Sequence, residues 1–172
     1  MEKLPRQSEA KAKRDRNCKL RSALVLPILL MSFWAPSAPA AAAENLTLRK
    51  GISFVEDKDS GFPIIADKID DATIGNGSPA FIFFAASGDL NSNRQAKKVV
   101  SLYNKYKSKN IKFILIDVDH PANDQAKSLI KKHYKGYIPC QVLIGRQGNS
   151  VWSKSGETSE GDVAKALDEQ MK

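Results

Sequence analysis

Seven consecutive apolar residues at positions 80–86 (Ala-Phe-Ile-Phe-Phe-Ala-Ala) leave the chain no polar face there. A run of that length without alternation predicts a central strand covered on both sides. It ends in Ser87, Gly88 and Asp89, and then the period changes. Val99, Val100, Leu102, Tyr103 and Tyr106 recur at helical spacing, so a helix is expected from about residue 89, capped by Asp89, Asn91 or Ser92. Lys105, Lys107 and Lys109 load its C-terminal end, where the helix dipole favours cations. Residues 111–119 read as a second buried strand. Pro121 and Ala122 then open a second helix with Ala126, Leu129, Ile130 and Tyr134 inward and Gly136 as its stop. Residues 139–145 form a third strand. Arg-Gln-Gly-Asn is a turn, and Ser-Val-Trp-Ser-Lys-Ser-Gly pairs back as a hairpin. Thr158 or Ser159 caps a last helix that buries Val163, Ala166, Leu167 and Met171. Two crossovers followed by a hairpin imply an α/β fold, a mixed sheet with helices on both faces.

Upstream the pattern is weaker. Ile-Ser-Phe-Val-Glu, residues 52–56, reads as a short edge strand, and Asp-Lys-Asp-Ser-Gly after it as a turn. Ile64, Ile65 and Ile69 suggest a short one-sided helix with Pro63 at its start; Asp70 and Asp71 oppose its dipole. Residues 75–78, Gly-Asn-Gly-Ser, are a loop.

The first 43 residues differ in kind. A basic region ends at Arg21, an apolar run spans 23–34, and small residues with Pro36 and Pro39 follow. Basic, apolar, small is the order of a secretory signal, with cleavage expected after Ala40 or Ala43. The apolar run is short for a membrane span of roughly 20 residues, though residues 23–43 also fit an uncleaved anchor. An organelle transit peptide is a further alternative. The expected location is beyond a membrane: periplasmic, secreted or lumenal.

Charge follows the same division. Of the formal +8, the leader holds +5 and residues 44–172 only +3. The high isoelectric point therefore belongs to the leader and gives the body no reason to bind nucleic acid. The lysines of the first helix read as a solvated face. Asn45, with Leu46 and Thr47, fits the glycosylation pattern, which matters only in a eukaryotic secretory host.

The element order and two phrases, FIFFAASGDLN and HYKGYIPCQVLIGRQGNSVWSKSGETSEGDVAKAL, resemble thioredoxin. The resemblance covers roughly residues 79–172. Residues 44–78 form an extension in which 50–78 replace the family's first strand and helix. It implies a thioredoxin-like central sheet of four to five strands and a cis bond between Ile138 and Pro139. The family's chemistry needs two cysteines two residues apart at a helix N-terminus, where the first thiol ionises and the second resolves the mixed disulfide. Aligning Phe83, Phe84 and Ala85 on the family's Phe-Trp-Ala puts Gly88 and Asn91 at the cysteine positions. Ser87 then replaces the usual Trp, and Ile82 a buried carboxylate. No cysteine lies between positions 19 and 139, so the dithiol route is excluded by composition whatever the alignment.

The remaining candidates are few. Ser87, Gly88 and Asp89 either form a turn and cap, or offer N–H groups to an anion or a peptide carbonyl. By the resemblance, Ile138 and Pro139 present main chain to an extended peptide. Cys140 follows the proline. It is either a small buried apolar residue or a partly ionised thiol near the helix start, capable of mixed disulfides or redox sensing. His120 and His133 with one cysteine do not have metal-ligand spacing, and no phosphate loop or serine-nucleophile motif appears. A peroxidase-type relative would need a cysteine just after the central strand, where Ser, Gly and Asn stand. The function expected is an exported or anchored, redox-inactive module that binds a peptide or protein partner without a cofactor; the alternative is a monothiol protein acting through Cys140.

Overall fold

The computed structural model describes residues 43–172, apart from 68 and 70. The leader reading, with Cys18 and the apolar run, lies outside the described residues. A four-stranded mixed sheet forms the centre. β3 (Ala80–Ala85) has β4 (Lys112–Asp117) parallel on one side and β5 (Cys140–Ile144) antiparallel on the other, and β6 (Ser150–Ser155) closes the sheet as the hairpin partner of β5. A separate two-stranded ribbon pairs β1 (Thr47–Leu48) with β2 (Ile64–Ile65). The helices are α1 (Leu90–Tyr106), α2 (Asp124–His133) and α3 (Glu160–Glu169).

Strand alternation sorts the apolar run of β3 into two cores. Phe81, Phe83 and Ala85 point to the side where α1 supplies Ala96, Val99 and Leu102 and α3 supplies Val163 and Leu167. Ile82 and Phe84 point to the other side, against Ala126 and Leu129 of α2. All six residues of β3 are buried. Each buried Phe or Ile contributes about 1.5–3 kcal/mol of transfer free energy, so this strand fixes the sheet's centre. The expected fold class is the one observed.

The caps follow the sequence. Asp89 accepts from Ser92 N–H at 2.5 Å, Asn123 from Ala126 N–H at 2.8 Å, and Ser159 from Asp162 N–H at 3.1 Å. Pro121 and Ala122 therefore precede α2 rather than open it. That helix ends at His133, and Tyr134 is already extended, so Gly136, at φ +86°, shapes the connection beyond the end.

Two upstream expectations are corrected. The stretch after Pro63 is not a helix. Ile64 and Ile65 are extended and pair with Leu48 and Thr47, and Ile64 is fully buried. Two adjacent β-branched residues with a ribbon partner favour the strand. Asp71 does not end a helix either. Its carboxylate accepts from Thr73 N–H and meets the nearly buried Lys112 ammonium at 2.9 Å. Burial opposes its charge, yet the bonds from Lys112 and Thr73 hold its carboxyl below the usual range. Residues 52–56 form no strand. Phe54 and Val55 are exposed, and the Ser53 and Phe54 carbonyls accept from side chains of α1.

Ala43 is buried, and its N–H donates to the Phe113 carbonyl on β4 at 3.3 Å. The domain thus begins at or before that residue. No helix among the described residues is long and apolar enough to cross a membrane.

Candidate functional site at the end of the sheet

β3 and β4 run parallel and both antiparallel to β5, so the exits of β3 and β4 and the entry of β5 share one end of the sheet. The register pairs Phe84 with Cys140. Continued outward, it brings the tip at Ser87, Gly88 and Asp89 to the same end as Ile138 and Pro139. The Ile138-Pro139 bond is cis. Pro139 is buried, Ile138 half-buried, and Tyr137 exposed over 70% of its surface. Pro139's carbonyl accepts from Gly156 N–H at 2.7 Å. Neither the N–H nor the carbonyl of Ile138 is engaged by main chain among the described residues.

A buried polar relay supports this edge from below. Gln95 of α1 donates to the Gln141 side-chain oxygen at 3.0 Å, and Gln141 donates to the Gly156 carbonyl at 3.2 Å. Thr158 N–H donates to Gln95 at 2.9 Å. Both glutamines are fully buried, so these bonds answer a desolvation cost and fix α1 against the Pro139 loop.

The tip itself holds no cysteine. Ser87 Oγ donates to Asp117 Oδ2 at 2.9 Å. Asp117 also accepts from Asp119 N–H, and His120 Nδ1 lies 3.6 Å from it on an exposed side chain. The carboxylate thus sits between hydroxyl and imidazole. Gly88, at the first cysteine position, is buried with φ +78°. Asn91, at the second, is exposed on the first turn of α1. Ile82, at the carboxylate position, is fully buried in the α2-side core. Among the described residues, no group of His, Cys, Asp or Glu is arranged to hold a metal.

Cys140 belongs to the α2-side core, with Phe84, Ile114 and Leu129, and is 2% exposed. The helix whose N-terminus would lower its pKa, α1, packs on the opposite face. Burial raises the thiol above its ordinary range, and the Ser155 hydroxyl, 3.8 Å from sulfur, only partly offsets this. The ionised thiol pictured from the sequence is not the state this environment favours. Tyr134, on the same side, is also raised, by burial first and then by Cys140, Asp119 and Asp89.

The sequence reading missed what covers the tip. Residues 53–59 run across it as a strap. Lys58 N–H donates to the Gly88 carbonyl at 3.1 Å, and Leu90 N–H donates to Asp57 Oδ1 at 2.8 Å. Asn93 Nδ2 donates to the Ser53 carbonyl and Arg94 Nε to the Phe54 carbonyl. The N–H groups of Leu90 and Ser92, which a free helix start would offer an anion, are already used by Asp57 and Asp89. A clue was present in the acidic Glu56, Asp57 and Asp59, since carboxylates suit a helix N-terminus. Tyr137 was missed as well; its signal was an aromatic directly before Ile-Pro.

No protein-family model matches the chain, and no curated protein does. Among solved structures it is similar to thioredoxin-2, a component of the malaria parasite protein secretion machinery, at 20% identity over 56% of this chain and 86% of that one, TM-score 0.47. It is similar to mitochondrial thioredoxin 3 of Saccharomyces cerevisiae at 19% identity, covering 55% and 79%, TM-score 0.44. It is similar to Fasciola hepatica thioredoxin at 22% identity, covering 55% and 83%, TM-score 0.45. The strand order β4-β3-β5-β6, the two crossovers, the closing hairpin and the cis Ile138-Pro139 bond are those of a thioredoxin-like fold.

Proposed function

We propose that this thioredoxin-like domain binds an extended peptide or protein segment without performing thiol chemistry, and that Ile138 is where the segment pairs. The observation that carries the reading is that no main chain among the described residues engages that of Ile138, at the sheet end between exposed Tyr137 and buried Pro139. Main-chain pairing supplies affinity in this mode, and an exposed aromatic beside it supplies an anchor. Cys140, buried on the α2 side with a raised pKa, does not favour the monothiol alternative. No cofactor is part of the proposal.

The test is a titration of the isotope-labelled chain with a library of extended peptides. Shifts should map to residues 137–140 and to the tip, and Tyr137→Ala should weaken binding by roughly 5- to 30-fold, as loss of a contact worth about 1–2 kcal/mol requires. Shifts confined to the cleft lined by Trp152, Lys154, Asp162 and Lys165 between β6 and α3 would move the site elsewhere. Catalytic reduction of insulin by the purified protein would overturn the redox-inactive reading.

Export or anchoring is proposed for residues 1–43 on their basic, apolar, small-residue order. Cleavage after Ala40 would leave Ala43 in its buried place, whereas cleavage after Ala43 would remove it. Mass spectrometry of the mature N-terminus decides between these and an uncleaved anchor.

A further inference from the structure

We infer that residues 53–59 are a tethered gate, which closes the tip in the state seen here and lifts as a unit to admit the docked segment. The inference rests on the docking reading only for what enters; the strap's own behaviour is argued from its contacts.

Among the described residues, four hydrogen bonds hold the strap, to Gly88, Leu90, Asn93 and Arg94. Apolar packing adds little. Residues 54–59 are all exposed, Val55 over 80% of its surface and Phe54 over 37%, with the Lys97 ammonium 5.9 Å from the Phe54 ring centre. Segments with exposed hydrogen bonds and few apolar contacts open locally, far below the free energy of global unfolding.

The closed state also carries a specific cost. Asn93 is fully buried under the strap, and its Oδ1 has no hydrogen-bond partner among the described residues. Ser60 Oγ, at the strap's end, is likewise buried and unpartnered. One orphaned oxygen beside the Ser53 end and one just past residue 59 weaken closure, and opening hands both to water. In β3, by contrast, every residue is buried and paired with β4, and residues 80–84 are paired with β5 as well.

Position makes this a gate rather than a loose loop. The strap's main-chain bond from Lys58 goes to Gly88, on the tip that shares the sheet end with Ile138. A segment lying along Ile138 and across the tip meets Lys58 and Asp59 over Gly88. Tethering gives the strap an effective concentration on the order of millimolar, so it outcompetes weak peptides and yields to strong ones.

The test is native-state hydrogen exchange on the full chain, wild type and Asp57→Ala. The Leu90 and Lys58 amides should exchange through one shared opening, at least about 100-fold more often than the Phe83 amide of β3. Asp57→Ala should accelerate the Lys58 amide roughly tenfold, although Lys58 keeps its own bond to Gly88, and leave Phe83 unchanged. Leu90 exchanging only as fast as Phe83 would make the strap a fixed wall and overturn the gate. So would a Lys58 amide indifferent to Asp57→Ala, since the strap would then not move as one piece. No peptide enters this measurement, so gate and docking site fail separately.

Discussion

Replacing Gly88 with alanine tests the placement of the strap over the tip. Gly88 has φ +78°, which costs an alanine about 1 kcal/mol or slightly more relative to glycine. Space adds a second cost. A Cβ at Gly88 would lie 2.7 Å from the Lys58 carbonyl oxygen, 3.1 Å from its carbon and 3.2 Å from Asp59 Cα, well inside the 3.4 Å at which ordinary contact begins. All three are backbone atoms, so no side chain can swing aside. The strap must lift, losing the Lys58–Gly88 bond and straining the Asp57–Leu90 bond, each worth about 0.5–1.5 kcal/mol net and the exposed Asp57 bond at the low end. Gly88→Ala is therefore expected to destabilise by about 2–4 kcal/mol. Gly148 is the control. Its φ is +77°, and a Cβ there meets nothing within 4 Å. Gly148→Ala should cost about 1 kcal/mol. Urea denaturation of both variants gives the comparison, with the midpoint shift read at constant slope. Equal costs would refute the reasoning, because the conformational penalty would then be the whole effect and no backbone would lie over Gly88.

In a Cys18→Ser background, the Cys140 thiol should resist a disulfide reagent up to pH 9 in the folded protein and react readily in urea. Its raised pKa stabilises the fold fully below the ordinary thiol value of 9.0 and is lost as pH rises beyond it. Tyr106, which donates to Asp168 Oδ1 at 2.7 Å, is pushed up to about 12, by burial first and then by Asp168. Its stabilisation should therefore be intact below pH 10.0 and fade toward about 12, and Tyr106→Phe should remove that part of the pH dependence in denaturation curves. Gln141→Leu should cost about 1–3 kcal/mol by orphaning the buried Gln95 amide, and Gln95→Leu a similar amount. The double variant should cost less than the sum, and strict additivity would show that the two glutamines do not form one relay.

How much of this was legible before the fold was known differs from residue to residue. The apolar block at 80–86 could only be a central strand, because seven residues without a polar face leave no other place for them. Asp89 and Ser159 were readable as caps, since each directly precedes a helical period and has a side chain that accepts from the first turn. Absence of a dithiol was readable too: without a cysteine from 19 to 139 no arrangement supplies one. Weak patterns misled where partners distant in sequence decided the outcome. Ile64 and Ile65 satisfied a helical spacing as well as a strand, and pairing with Thr47 and Leu48 chose the strand.

Composition and local pattern thus determined the element types from residue 80 onward, the caps at Asp89 and Ser159, and the want of a cysteine pair between positions 19 and 139, because each is read from the composition or from neighbours within a turn or a pleat. Three things were left to the tertiary structure. The face taken by Cys140 depends on strand register, and one residue of slip would turn its sulfur from α2 toward α1. The company of Ser87 depends on β4 lying parallel beside β3, which brings Asp117 across 30 residues. The strap depends on residues 53–59 returning to a helix start more than 30 positions later, where Asp57 meets Leu90. Contacts at that separation are set by how the layers close on one another, and no periodicity in the chain encodes them.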